Sequence, residues 1–266
     1  MTTDLPPVRR AFVDTPSGQI HLRSADTRHD DRVPLLMLHQ SPASSLTYAE
    51  LLPHLGCTRW AIALDTPGFG ESFRPATQPS IADYARWIVA AADALAIDRF
   101  DLMGIFTGAG TASEIAATWP HRVRRLVLAG PPLFTPAQQR DFIRQAWPVR
   151  PTPDGAHFAT EWQRVMTRDM PGVAFERRLD AFNEFYRGGS NAIWGEQAIA
   201  DYPLAQTLPR VAAPTLILKP LGIHGDCDGA AALLRDARIA PIDHLGYSML
   251  QAIPQKIATV IDRFLD

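Results

Sequence analysis

The chain has 266 residues, 46% of them hydrophobic, which suits one large α/β domain with an insertion or two small domains. Its formal net charge of -2 argues against a nucleic-acid or acidic-membrane partner. It carries only two cysteines, Cys57 and Cys227, and no segment typical of a signal peptide or a membrane span, so we expect a soluble cytoplasmic protein with reduced thiols.

The first predicted element is a β-hairpin, in which segments 11–13 and 19–22 flank a Pro16-Ser17-Gly18 turn. Short apolar runs bounded by turn residues follow along the chain. Because these runs lack polar alternation, they are typical of strands buried on both faces of a parallel sheet. They span residues 34–38, 60–64, 100–103, 126–129, 215–218 and 238–242.

Helical patterns lie between several of these strands. The first covers 81–97 with Ser80 as its N-cap, the second covers 110–119 and ends at Pro120, and the third covers 255–265. Alternation of strands and helices after a leading hairpin predicts an α/β protein with a mostly parallel, doubly wound sheet.

Residues 134–208 break this alternation. The segment is rich in Trp, Phe, Arg and Pro and has the pattern of several helices without strands. We interpret it as a helical cap inserted over the carboxyl edge of the sheet, where open α/β folds bind their ligands. The predicted organisation is therefore an α/β core in two parts, 1–133 and 209–266, interrupted by a cap at 134–208.

Four segments occur in an order that carries a family resemblance. His39-Gln40-Ser41-Pro42 follows the first buried strand and 65–72 (DTPGFGES) follows the next, while 104–108 (GIFTG) lies at a strand-to-helix junction and Leu245-Gly246-Tyr247 follows the last strand. Over nearly its whole length the chain resembles the α/β-hydrolase superfamily. The resemblance implies a mostly parallel eight-stranded sheet with helices on both faces and an inserted helical cap.

The resemblance also identifies the positions of a hydrolytic triad, and this sequence departs from it at each one. The nucleophile belongs at the centre of a Gly-x-Ser-x-Gly turn, and here Phe106 lies between Gly104 and Gly108. A shifted frame with Thr107 as nucleophile would put Ile105 where the turn needs a small residue. The base position after the last strand holds Tyr247, with His244 three residues earlier.

The acid position after the strand at 215–218 falls on Ile223, although Asp226 and Asp228 could replace it if the loop is longer. A triad works as a unit, so the loss of all three side chains argues against an ordinary serine esterase or lipase. The sequence therefore predicts a degenerate triad.

The oxyanion hole of the superfamily uses backbone N–H groups, which persist whatever the side chains are. The resemblance assigns them to Gln40 and Thr107, with Ser41 close to the pocket and Phe106 as its apolar floor. Cap aromatics, Trp194 among them, are candidates to face the cleft. We interpret His39 and Asp65 as structural residues that hold their own loops.

Three functions stay open at this point. The first is a non-hydrolytic enzyme of lyase, isomerase, decarboxylase or cyclase type that acts on a small carbonyl compound, with Tyr247, Asp226 or His244 as catalytic groups. The second is a non-catalytic binding protein, and the third is a hydrolase with a relocated triad of Thr107, His244 and Asp226. We expect no metal and no cofactor, since no phosphate loop or metal cluster is evident, and a homodimer is possible.

Overall fold

A computed structural model describes residues 5–26, 32–146, 152–168, 170–223 and 225–266. Its strands are β1 Arg9–Thr15, β2 Gly18–Ala25, β3 Leu35–Leu38, β4 Ala61–Leu64, β5 Phe100–Ile105, β6 Val123–Ala129, β7 Thr215–Leu221 and β8 Ala237–Leu245. They form one sheet in the order β1-β2-β4-β3-β5-β6-β7-β8. β2 pairs antiparallel with β1 and with β4, and the other neighbours pair parallel. The predicted eight-stranded, mostly parallel sheet is confirmed.

The central strands are apolar because both faces of the sheet are covered. Every residue of β3, β4 and β5 is buried. One apolar cluster packs the helices Ile81–Ala94 and Thr107–Thr118 on one face of the sheet, and a second packs the C-terminal helix on the other. This arrangement explains why the sequence shows unbroken apolar runs rather than alternation.

The helices of the core fall close to the predicted segments, with shifted ends. They are α1 Leu52–Gly56, α2 Ile81–Ala94, α3 Thr107–Thr118, α9 Cys227–Leu233, α10 Met249–Ala252 and α11 Pro254–Leu265. A capping box between Ser80 and Asp83 starts α2 as predicted, but the helix ends at Ala94 rather than at 97, and Ala96 has φ 56°. The prediction that the second helix begins at Gly110 was wrong, because α3 begins at Thr107.

Between β6 and β7 the described residues contain helices and no strands. These helices are α4 Pro136–Ala146, α5 Ala156–Met166, α6 Phe175–Arg187, α7 Trp194–Ala200 and α8 Leu204–Thr207. Ion pairs join both ends of α6 to loops of the core, Arg177 with Glu50 and Arg187 with Glu71. Among the described residues, no helix has the length and apolarity needed to cross a membrane.

A buried ion network lies at the edge of the sheet where β5 and β6 begin. Arg59, only 1% exposed, lies 3.5 Å from Asp101, 3.2 Å from Asp262 and 3.0 Å from Asp266. Arg124 makes two further hydrogen bonds to Asp101, of 2.9 and 2.6 Å. Buried charges need such partners, so these contacts tie the end of α11 to β5.

Asp65 holds together three segments near the carboxyl edge of the sheet. Its carboxylate accepts hydrogen bonds from the His21 ring at 2.8 Å, from the Ser45 N–H at 2.7 Å and from the Glu71 N–H at 2.9 Å. Burial alone would raise the pKa of Asp65, but these hydrogen bonds and the nearby His39 outweigh it and lower the pKa from 3.8 to about 2. The contacts of Asp65 therefore indicate a structural role.

Replacing Asp65 by Asn should lower the free energy of unfolding at pH 7 by about 2 kcal/mol, the value of a pKa shift of this size. The carboxylate has a lowered pKa in the folded state, so its contribution is complete above pH 3.8 and is lost as the pH falls toward 2. Urea unfolding of both proteins between pH 7 and pH 2 measures the difference in their free energy of unfolding. This difference should shrink as the pH falls from 3.8 toward 2.

The exposed Asp98 gives the matched control, since Asp98→Asn should change the free energy of unfolding little. An Asp65→Asn protein as stable as the wild type at pH 7 would contradict the role given to this carboxylate.

Candidate active site

The turn from β5 into α3 has an unusual backbone at Phe106. This residue has φ 46° and ψ -104°, values that a residue with a Cβ rarely adopts. Its N–H donates to the Ala129 carbonyl at 3.1 Å, and its carbonyl accepts from the Gly110 N–H at 3.1 Å. Phe106 thus lies at a tight strand-to-helix turn, as predicted, and its side chain stands at the carboxyl edge of the sheet.

The two glycines that flank this turn are required by close approach of the backbone. A Cβ on Gly104 would collide with the carbonyl of Gly108, and a Cβ on Gly108 would collide with the carbonyl of Leu38. Thr107 is the first residue of α3 and is buried. The structure therefore supports the frame that centres the turn on Phe106 over the frame that centres it on Thr107.

The loop after β3 is fixed by His39. The ring Nε2 accepts from the Thr66 N–H at 2.9 Å, so Nδ1 carries the proton that it donates to the Gln40 carbonyl at 2.8 Å. Burial lowers the pKa of His39, which favours the neutral ring. Because both ring nitrogens are hydrogen-bonded to backbone groups, His39 has a structural role in this loop.

This loop lies against the start of α3. The Ser41 N–H donates to the Thr107 hydroxyl oxygen at 3.4 Å, which brings the peptide between Gln40 and Ser41 to the turn. Within the described ranges, no group accepts a hydrogen bond from the N–H of Gln40 or of Thr107. The side-chain Oε1 of Gln40 is buried and also has no partner among the described residues. A backbone N–H group without an acceptor can bind a carbonyl or enolate oxygen.

Four aromatic rings surround the turn. The Phe106 ring lies 6.0 Å from Phe134, 5.4 Å from Phe142 and 6.4 Å from Tyr247, measured between ring centroids. Phe134 and Phe142 stack on each other at 5.2 Å. We call these residues the elbow aromatic cluster. Phe134 and Phe142 were not predicted as site residues, because their only signal in the sequence is that aromatic residues follow β6.

Tyr247 presents a buried hydroxyl without a hydrogen-bond partner in the described part of the chain. The ring is only half-buried, but the oxygen itself is inaccessible and lies 2.9 Å from the position that a Cβ on Gly130 would take. Burial raises the pKa of Tyr247 well above 10, and an ionised Cys227 would raise it further. The phenol can therefore donate a hydrogen bond but cannot act as a base near neutral pH.

The other candidate acid and base residues are engaged elsewhere. The exposed Asp226 is the N-cap of α9 and accepts from the Gly229 N–H at 2.8 Å, and Asp228 pairs with Lys219. His244 Nδ1 lies 3.3 Å from the Ser248 hydroxyl, which donates its own proton to the Leu245 carbonyl. Hydrogen bonds do not join Thr107, His244 and Asp226 in the described structure, so the relocated triad has no geometric support.

Trp194 and Ser41 lie where α7 meets the loop after β3. Trp194 begins α7 and is half-buried, and the next residue, Gly195, packs directly on the Ser41 side chain. A Cβ on Gly195 would also lie 3.0 Å from the Phe69 ring. Helix α7 therefore covers the loop after β3, while α4 covers the turn through Phe142.

Comparison with known proteins gives the family. A family model described as the alpha/beta hydrolase fold matches residues 33–219. The chain therefore belongs to the α/β-hydrolase fold family.

Two relatives with named activities illustrate the similarity of individual sequences. The chain is 42% identical over 105 residues to the 2-hydroxymuconate semialdehyde hydrolase of Pseudomonas sp. (strain CF600), an alignment that covers 36% of each chain. It is 27% identical over 282 residues to haloalkane dehalogenase 2 of Mycobacterium bovis (strain ATCC BAA-935 / AF2122/97), with 97% of this chain and 96% of the relative covered.

The crystal structure of the enol-lactonase from Burkholderia xenovorans LB400 superimposes with a TM-score of 0.78 at 18% identity, covering 96% of this chain and 100% of that chain. This likeness concerns the fold alone.

The orphaned hydroxyl of Tyr247 leads to a stability prediction. Removing a buried hydroxyl that has no partner removes its desolvation cost, so Tyr247→Phe should leave the free protein as stable as the wild type or stabilise it by about 1 kcal/mol. Thermal and chemical unfolding of the two proteins measure this change.

Tyr48 provides the matched control. It is fully buried, and its hydroxyl donates to the Leu38 carbonyl at 2.8 Å. Tyr48→Phe should therefore cost about 1 kcal/mol. A Tyr247→Phe protein that loses as much stability as Tyr48→Phe would show that the Tyr247 hydroxyl is satisfied within the protein.

Proposed function

We propose that this α/β-hydrolase-fold protein is a non-hydrolytic enzyme that binds a small carbonyl compound between core and cap and acts on it without a covalent intermediate. The N–H groups of Gln40 and Thr107 bind the carbonyl oxygen. The observation that carries the proposal is Phe106, a residue without a nucleophilic atom in the strained turn where this fold holds its nucleophile.

The loss extends beyond the nucleophile. Acyl transfer by this fold needs a nucleophile, a base in contact with it and an acid that orients the base. Phe106 cannot attack a carbonyl, and Tyr247 next to it has a pKa raised by burial. The acid position holds Ile223, which has no carboxylate, and the nearby Asp226 caps a helix rather than orienting a base. These three positions together form a degenerate triad.

The remaining groups can stabilise negative charge on oxygen. In a decarboxylation of a 3-oxo acid, for example, the bond between the α-carbon and the carboxyl carbon breaks and CO₂ leaves. The electron pair moves into the carbonyl, forming an enolate whose oxygen accepts hydrogen bonds from the Gln40 and Thr107 N–H groups. Solvent then protonates carbon. Such a step needs preorganised donors but no nucleophile and no base.

Lyase, isomerase, decarboxylase and cyclase steps on carbonyl compounds share the need for donors that stabilise negative charge on oxygen. The neutral hydroxyl of Tyr247 is a further donor for an oxygen of the ligand, because it is buried without a partner in the described structure. The first relative described above is named as a hydrolase of 2-hydroxymuconate semialdehyde, which is by its name a carbonyl compound with a hydroxyl group. This supports a carbonyl ligand for the present chain.

Ligand binding without turnover is the second candidate function. It is favoured by the engagement of both histidines near the site: His39 is bonded to backbone through both nitrogens, and His244 faces Ser248. A reaction that needs proton abstraction would lack its base. Turnover of a bound carbonyl compound separates the two candidates, since a pure binding protein returns the ligand unchanged.

The proposal predicts no covalent chemistry with serine-hydrolase reagents. A fluorophosphonate probe should leave the intact mass of the protein unchanged, and p-nitrophenyl acetate should be hydrolysed no faster than by the heat-unfolded protein. The reason is that the turn holds no hydroxyl or thiol at position 106.

A serine esterase treated in parallel provides the positive control for both reagents. Stoichiometric labelling of Thr107, or of any serine, would overturn the non-hydrolytic proposal and support a relocated triad.

A further inference from the structure

The ring of His39 connects the loop after β3 with the loop after β4. These two strands are parallel neighbours with Leu38 beside Leu64, so both loops leave the same edge of the sheet. The ring Nε2 accepts from the Thr66 N–H at 2.9 Å, and Nδ1 donates to the Gln40 carbonyl at 2.8 Å. One side chain is therefore hydrogen-bonded to the backbone of both loops.

The hydrogen bond from Thr66 requires a neutral ring. A neutral imidazole has one nitrogen that accepts a hydrogen bond, whereas an imidazolium carries N–H groups at both nitrogens and accepts at neither. A proton on Nε2 would point at the Thr66 N–H, so that two donors would face each other. Thr66 is buried, and its N–H would then be left without this acceptor.

Close packing keeps the ring from turning away from this conflict. His39 is only 1% exposed, and its ring packs edge-on against Phe69, with 5.9 Å between centroids and 78° between planes. Phe69 belongs to the same loop as Thr66, and its N–H donates to the Thr66 carbonyl at 2.9 Å. Protonation of His39 therefore acts on the loop after β4 as a whole.

Two carboxylates act on this ring by their charge, one from the loop after β4 and one from α6. Burial lowers the pKa of His39 below its ordinary value of 6.5, although the charges of Asp65 and Glu184 raise it in part. Asp65 has a pKa of about 2 and is bonded to the His21 ring, while the buried Glu184 pairs with Arg187 at 2.8 Å. Their negative charges can hold a protonated ring within the folded protein.

We propose that His39 is an acid-sensitive switch: protonation of Nε2 breaks its hydrogen bond with Thr66 and releases the loop after β3 from the loop after β4. The step takes one proton from solvent, breaks no covalent bond and needs no bound ligand. The switch is closed at neutral pH and opens as the pH falls below 6.5 toward the lowered pKa of the ring. Its contribution to the free energy of unfolding is complete above pH 6.5 and is lost over the same range, because the unfolded chain binds the proton first.

An NMR titration of the ¹⁵N-labelled protein from pH 7 to pH 4 tests the switch. At pH 7 the His39 ring should carry its proton on Nδ1 alone, and at the acidic end both nitrogens should be protonated. The amide resonance of Thr66 should move with the same midpoint, below pH 6.5. Hydrogen exchange of this amide, corrected for the intrinsic effect of pH, should become faster by at least about tenfold, because the buried N–H has lost its acceptor.

His39→Gln removes the titrating group and keeps an acceptor, since a glutamine oxygen can take the place of Nε2. In this variant the Thr66 amide should no longer respond to pH over that range. His121→Gln is the matched control. His121 is exposed and lies between α3 and β6, at the edge of the sheet where β6 begins, so the Thr66 amide should titrate as in the wild type.

Three results in the wild type would overturn the switch. They are a proton on Nε2 at pH 7, a ring that stays neutral until the protein unfolds, and a Thr66 amide that does not follow the titration of the ring. A Thr66 amide that still follows the pH in folded His39→Gln would contradict it as well. If His39→Gln does not fold, the wild-type spectra decide, because ring and amide are recorded in the same sample.

Discussion

The tight turn between β5 and α3 is the constraint on which the rest of the site depends. Close backbone contacts around Gly104 and Gly108 leave no room for side chains at these two positions. They hold Phe106 in a left-handed backbone conformation that costs on the order of 1–3 kcal/mol. A conformation of this cost persists only where the surrounding structure over-determines it. Here the sheet register, the start of α3 and the loop after β3 all converge on the same residue.

That convergence fixes the shape of the turn through its backbone. The backbone donors of Gln40 and Thr107 depend on the turn and on His39, not on the identity of residue 106. Asp65 and the hydrogen bonds it accepts stabilise the same edge of the sheet from the other side. The elbow aromatic cluster packs above the turn and makes its surroundings apolar.

The sequence was sufficient to predict the fold and the position of Phe106, because buried strands leave unbroken apolar runs and the turn needs glycines at a fixed spacing. It was less informative about element ends: α3 begins earlier than its periodicity suggested, since Thr107 and Gly108 are poor helix signals, and the short helix α9 was missed. The contacts of Phe142 and the direction of the Tyr247 hydroxyl depend on how distant segments pack, and no local pattern encodes that packing.

The central claim is that the turn binds a carbonyl oxygen through hydrogen bonds without forming a covalent bond to it. The most direct measurement is the ¹³C NMR spectrum of 2-butanone labelled at the carbonyl carbon, recorded with and without the protein. The claim predicts that the resonance stays in the trigonal carbonyl region and moves downfield on binding, because donors polarise the C=O bond. A resonance in the tetrahedral region, or no change with saturating protein, would contradict it.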